Sequence, residues 1–157
     1  MSDDYNYILG AVLAMGGAPP EGRELPFDTL VLCALEHQPP SLWFPNTRVM
    51  RVMLDDSGPP PTQTEILAAV AMGREVARQL RHGRRVLVTC WKGRNRSGLV
   101  TGIALLELGL SCRAAFFNIR YARGLKALNN EHFVEVLRRY RPHSALELVN
   151  DRPRHHP

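Results

Sequence analysis

The sequence predicts an α/β fold: a central, mostly parallel, twisted sheet flanked by helices. Three observations carry that prediction. Short apolar runs rich in β-branched residues alternate with helical periodicity through the middle of the chain, the pattern of strands joined by crossovers. The last third of the patterned sequence reads as helix only. The run Val86-Leu87-Val88-Thr89 stops at Cys90, and an apolar helix begins at Ser97. That is a strand–loop–helix junction, and open α/β sheets hold ligands at the carboxyl ends of such strands.

At 157 residues the chain is long enough for one domain with its own core. We expect that domain to span 1–142 and a tail to follow over 143–157. The 45% hydrophobic and 22% charged content is ordinary for a globular protein, which sets aside a disordered chain. No apolar run approaches the roughly 18–20 residues of a membrane span. Asp3 and Asp4 stand where a secretory leader would be basic. Cys33, Cys90 and Cys112 are too few and too scattered for a disulfide framework, so a cytoplasmic setting is expected. The histidines show no metal-ligand spacing, and neither a metal nor another cofactor is implied.

Taken in order, residues 5–15 read as one or two short strands broken at Gly10. Residues 16–22 form a loop by composition. Residues 27–34 are a buried strand, ended by Gln38-Pro39-Pro40-Ser41, where prolines remove ladder donors. Residues 47–54 are a further strand, in which Val49, Arg51 and Met53 alternate with Met50, Val52 and Leu54, so one face is not wholly apolar. A loop follows through Asp55, Asp56, Ser57 and Gly58 to Pro59-Pro60-Pro61. Thr62-Gln63-Thr64-Glu65 has capping-box spacing and starts a helix to about Arg81. Ile66, Leu67, Val70, Ala77 and Leu80 are expected to share its apolar face, and His82-Gly83 closes it. After the strand at 85–89 and the loop at 90–96 comes a helix apolar nearly all round, hence central and buried. Gly109 ends it and Ser111 caps the next, which reaches about Arg123. Asn129 or Asn130 caps a last helix whose Phe133, Val136, Leu137 and Tyr140 share a face.

Charge is divided along the chain. Residues 1–73 carry a net −6 and residues 74–157 a net +11, within an overall +5. The Cys90 loop lies in the basic part, which suits anionic substrates; exposed arginine-rich helix faces would give the same count. Inside the loop the residue types are more telling. A cysteine between a strand end and a helix N-terminus sits in positive potential, the setting that favours a thiolate nucleophile. A one-turn loop can point successive N–H groups inward as an anion nest, and Gly93 permits the backbone angles this needs. Trp91, Lys92, Gly93, Arg94, Asn95 and Arg96 would form that phosphate cradle. The Arg96 fork suits two oxygens of a phosphoryl group. Ser97 can donate to the thiolate and help it leave. The loop contains no acid. Asp56, just before the turn at Ser57-Gly58, is the favoured proton donor and later base, with Asp55 as the rival.

Cys90-Trp91-Lys92-Gly93-Arg94-Asn95-Arg96-Ser97-Gly98 resembles the signature of the cysteine-dependent protein tyrosine phosphatases: Cys, five residues, Arg, then Ser or Thr. An upstream loop Asp matches their compact dual-specificity branch. Leu32-Cys33-Ala34 and the stretch from Ile119 to Asn130 and Phe133 extend the likeness over about residues 5–140. The resemblance implies hydrolysis of phosphotyrosine, and of phosphoserine or phosphothreonine, through a cysteinyl-phosphate. Cys90 would be the nucleophile, Arg96 the phosphate ligand, Asp56 the acid and then base, and Ser97 the leaving-group aid. It also makes Cys33 a candidate redox partner of Cys90, the alternative being a core cysteine. Low-molecular-weight tyrosine phosphatases carry the loop near the N-terminus, unlike this chain, and full-sized tyrosine phosphatase domains are much longer.

Two features depart from the family pattern. Thr89 stands where a histidine usually precedes the cysteine, and the Asp56–Cys90 separation is long, with Pro59-Pro60-Pro61 as its natural site. Lys92 and Arg94 are either ordinary loop charges or a bias toward multiply phosphorylated substrates. The alternatives are therefore a phosphoinositide or RNA 5′-triphosphate phosphatase, and a phosphate-binding pseudophosphatase. The expected partner is a phosphorylated protein or another phosphomonoester. Nucleic acid enters only through the RNA reading, and the sequence is silent on oligomeric state.

Overall fold

A computed structural model describes residues 5–142, so the expected tail over 143–157 lies outside the described residues. The strands are β1 (Tyr5–Leu9), β2 (Leu13–Gly16), β3 (Thr29–Ala34), β4 (Arg48–Leu54) and β5 (Val86–Thr89). The helices are α1 (Gln63–Arg81), α2 (Arg96–Glu107), α3 (Cys112–Arg123) and α4 (Glu131–Arg139). Residues 5–15 thus divide into two strands, paired antiparallel around Gly10. The sheet order is β1-β2-β5-β3-β4, and every pairing beyond β1–β2 is parallel. This is the mostly parallel α/β sheet that the alternation predicted.

β5 lies at the centre, paired with β2 on one side and β3 on the other. Its four residues are all buried, which explains an uninterrupted apolar run rather than an alternating one. β4 is an edge strand and does alternate: Val52 and Leu54 are buried while Met53 is exposed. α1 and α2 pack onto the face presented by Leu13, Met15, Val31, Cys33, Val86 and Val88, α3 packs on β1 and α2, and α4 packs on α2. The opposite face, with Ala14, Leu30, Leu32 and Leu87, is covered by Phe27 and Phe44 from connecting segments.

α1 begins with the expected capping box. Glu65 N–H donates to Thr62 Oγ1 at 3.1 Å, and Thr62 N–H donates to Glu65 Oε1 at 3.0 Å. Its buried face includes Val70, Ala77 and Leu80 as predicted, but departs from the prediction at Leu67. Leu67 is 59% exposed, and the buried stripe runs through Ala69, Gly73, Val76 and Ala77. Small residues are used because α1 lies close on α2. A Cβ on Gly73 would collide with the Ile103 side chain. α2 is buried from Arg96 to Leu106, as an all-round apolar helix must be. Ser111 caps α3 by accepting from Ala114 N–H at 3.1 Å. Asn130, not Asn129, caps α4, accepting from His132 N–H at 3.0 Å.

Candidate active site at the carboxyl end of β5

The chain leaves β5 at Cys90 and enters α2 at Arg96 after five residues. Gly93 makes the curl possible: its φ is +67°, and a side chain there would strike the Gly16 backbone and the Arg123 guanidinium. Arg123 braces the curl from α3, donating from Nε to Gly93 O at 3.0 Å and from Nη2 to Lys92 O at 3.0 Å. Ala18 N–H donates to Trp91 O at 3.1 Å, and Leu128 N–H to Arg94 O at 3.1 Å. With its carbonyls engaged on the outside, the loop curls around a cavity of about 530 Å³. The N-cap residue Asn95 makes no side-chain cap bond, and among the described residues the first-turn N–H groups of α2 remain available to an anion.

Cys90 and Arg96 line this cavity, together with Asp56 and Glu36. Cys90 is 5% exposed, and its Sγ lies 3.2 Å from Ser97 Oγ, within hydrogen-bond reach. Arg96 is buried and pre-oriented. Nη1 and Nη2 form a two-pronged pair with the Glu36 carboxylate, Nη2 to Oε2 at 2.7 Å, and Nη1 also donates to Leu54 O at 3.1 Å. Of the five guanidinium donors, that leaves Nε–H and the second Nη2–H, which lie along one edge. Nε is buried with no hydrogen-bond partner among the described residues. A buried orphan donor costs about 1–3 kcal/mol, and a tetrahedral anion bound edge-on would satisfy it. Burial opposes the charge on Arg96, but the Glu36 bonds and the nearby Cys90, Glu36 and Asp56 hold its pKa above the usual value. The Arg96 hydrogen bonds in turn hold the Glu36 carboxyl below its usual value, against partial burial.

The two candidate acids are in different situations. The Asp55 carboxylate accepts Ser57 N–H at 3.1 Å and Ser57 Oγ–H at 2.7 Å, closing its own turn. Asp56 instead accepts from Asn95 Nδ2 at 3.2 Å and from Asn130 Nδ2 at 2.6 Å. Its carboxylate is therefore tied to the Cys90 loop and to α4. Asp55 N–H donates to Glu65 Oε2 at 2.9 Å, which anchors the acid loop on α1.

Other expected site residues have other surroundings. Gly93 shapes the loop from behind, packed on Gly16. Asn95 directs its side chain at Asp56, Asn129 and Asn130. Trp91 is half exposed, with the His37 ring edge-on at 5.3 Å. Lys92 and Arg94 line the cavity, and neither has an ion-pair partner among the described residues. Thr89 is buried in the sheet, its hydroxyl donating to Val31 O at 2.9 Å, so it serves the β3–β5 seam rather than the loop. Cys33 is fully buried on β3, one residue beyond the Leu32–Thr89 pair and so level with Cys90. Burial pushes its thiol pKa well up, and the neighbouring Cys90 adds to this. All three cysteines are free.

Glu36, Asn130 and Arg123 were not singled out by residue chemistry. Glu36 carried one legible signal: a carboxylate two residues past the end of a buried strand.

No protein-family model and no curated protein matches the chain. Solved structures do. Tk-PTP in its active form superposes with a TM-score of 0.68 at 25% identity, over 88% of this chain and 96% of that one. Human DUSP28 gives 0.70 at 22% identity, over 88% and 93%. PTPMT1 in complex with PI(5)P gives 0.63 at 17% identity, over 87% and 96%. The architecture is that of the protein tyrosine phosphatase superfamily. Within it the fold is like that of the compact dual-specificity phosphatases.

Proposed function

We propose that the described residues belong to a single catalytic domain, over 1–142, that hydrolyses phosphomonoesters of the phosphotyrosine, phosphoserine and phosphothreonine class. The observation carrying this reading is the open Nε/Nη2 edge of Arg96 beside the Cys90 thiol in one cavity. A phosphoryl group on that edge would sit over Cys90 Sγ with the α2 N-terminus behind it. The thiolate attacks phosphorus, the ester P–O bond breaks, and Asp56 gives its proton to the leaving oxygen. Water then attacks the cysteinyl-phosphate, Asp56 takes the water proton, and the S–P electron pair returns to sulfur. The Ser97 hydroxyl, 3.2 Å away, steadies the departing thiolate. Three free cysteines fit a reducing, cytoplasmic setting. Cys33, level with Cys90, fits a partner for an oxidised Cys90, with a disulfide as the product.

One observation favours a second substrate reading. Lys92 and Arg94 line the cavity without carboxylate partners among the described residues, and a substrate with further phosphates, such as a phosphoinositide or an RNA 5′-triphosphate, would engage them. That PTPMT1 has been solved with PI(5)P is consistent with such a substrate on this fold. The test is a parallel panel of phosphotyrosine peptide, phosphothreonine peptide, phosphoinositide and RNA triphosphate, with Cys90→Ser beside the native chain. We expect turnover of at least one substrate and none with Cys90→Ser. Turnover by Cys90→Ser would overturn the mechanism. Binding without turnover by the native chain would make it a pseudophosphatase.

A further inference from the structure

Asp56 is gripped by two amides whose orientation the backbone settles. Asn130 Oδ1 accepts His132 N–H at 3.0 Å and Phe133 N–H at 3.4 Å as the cap of α4. Its Nδ2 therefore points the other way, to Asp56 Oδ1 at 2.6 Å. Asn95 Oδ1 accepts Asn130 N–H at 2.9 Å, so its Nδ2 faces Asp56 Oδ2 at 3.2 Å and Asn129 Oδ1 at 2.8 Å. A backbone N–H is met only by the oxygen end of an amide, so neither side chain can flip without breaking the network. Asp56 receives one donor on each oxygen.

We propose that Asn130, backed by Asn95, is a positioning residue for proton transfer by Asp56, so that the α4 N-terminus fixes the carboxylate relative to the Cys90 loop. This rests on the reading of Asp56 as the acid. Each carboxylate oxygen has two lone pairs. The amide occupies one, and the other remains for the transferred proton. The clamp therefore persists while Asp56 gives a proton to the leaving oxygen and later takes one from water. Turning the carboxylate breaks both bonds. The clamp matters because a misplacement of about 1 Å can cost roughly 10²-fold in rate.

Two variants separate this role from capping. Asn130→Ser keeps an N-cap and removes the amide donor. Asn130→Asp keeps the cap and sets a second carboxylate against Asp56. The readout is kcat/KM over aryl phosphates of graded leaving group, because that parameter reports the step in which the P–O bond breaks. Both variants should melt near the native temperature. Both should lose roughly tenfold with phenyl phosphate and less than about twofold with 2,4-dinitrophenyl phosphate. On an Asp56→Asn background, Asn130→Ser should add no further loss. Equal loss across all leaving groups, no loss, or a loss fully additive to that of Asp56→Asn would overturn the positioning role alone. If Asp56→Asn itself shows no leaving-group dependence, the acid assignment falls and the positioning role falls with it.

Discussion

Arg96 is held on one side and open on the other. Glu36 and Leu54 O take three of its donors, and the remaining edge faces the cavity with Nε buried. Glu36 thus fixes the plane in which an anion is received. Glu36→Ala should let the guanidinium relax, and inhibition by inorganic phosphate should weaken roughly tenfold, from the loss of about 1.5 kcal/mol of charge-assisted bonding. Unchanged inhibition would mean that Arg96 needs no such support. The pair also has a pH signature. The folded-state carboxyl of Glu36 lies below its ordinary 4.5. The pair is therefore intact above pH 4.5 and lost only as pH falls through that lowered value. Glu36→Gln should lack this acid-side step in a pH titration of stability. The pairing itself was not legible in the sequence, because Glu36 and Arg96 are 60 residues apart. Cys90, Arg96 and Ser97 were legible because their spacing is local and their chemistry is carried by residue type.

α1, α2 and α4 are locked at one corner by Arg74, Glu107 and Tyr140. Arg74 Nε donates to Tyr140 Oη at 3.0 Å and to Glu107 Oε1 at 3.3 Å, and Tyr140 Oη–H donates to Glu107. Burial and the Glu107 bond push the Tyr140 phenol up to about 12, so it stays protonated and donating at neutral pH. Tyr140→Phe leaves the nearly buried Glu107 carboxylate with Arg74 alone. We expect a loss of about 1–2 kcal/mol, read as a lower melting temperature by calorimetry. An unchanged melting temperature would show that the corner does not contribute. Elements with local signals were read correctly from sequence, such as the capping box at Thr62 and the Ser111 cap. On α1, Val70, Ala77 and Leu80 face the core as predicted, but Leu67 does not, because periodicity weighs Leu67 above Gly73. Yet the close approach to Ile103 makes the glycine the contact and leaves the leucine in solvent.

Across the whole molecule, strand order brings the two differently charged parts of the chain together. β5 inserts between β2 and β3. Glu36 after β3 and Asp56 after β4, both from the acidic part, thereby meet Lys92, Arg94 and Arg96 from the basic part. Neither part holds a complete site. Hydropathy predicted a mostly parallel sheet but carries no information on which strand lies beside which, so this meeting was not readable beforehand. The mechanism built on that site requires a phosphoryl group to rest covalently on Cys90 between two steps. Rapid-quench mass spectrometry of the full chain, mixed with an aryl phosphate of good leaving group, tests that directly. A phosphoryl adduct is expected on the peptide containing Cys90, appearing with the first burst of product and absent from Cys90→Ser. Turnover with no adduct, or an adduct on any other residue, would contradict the mechanism.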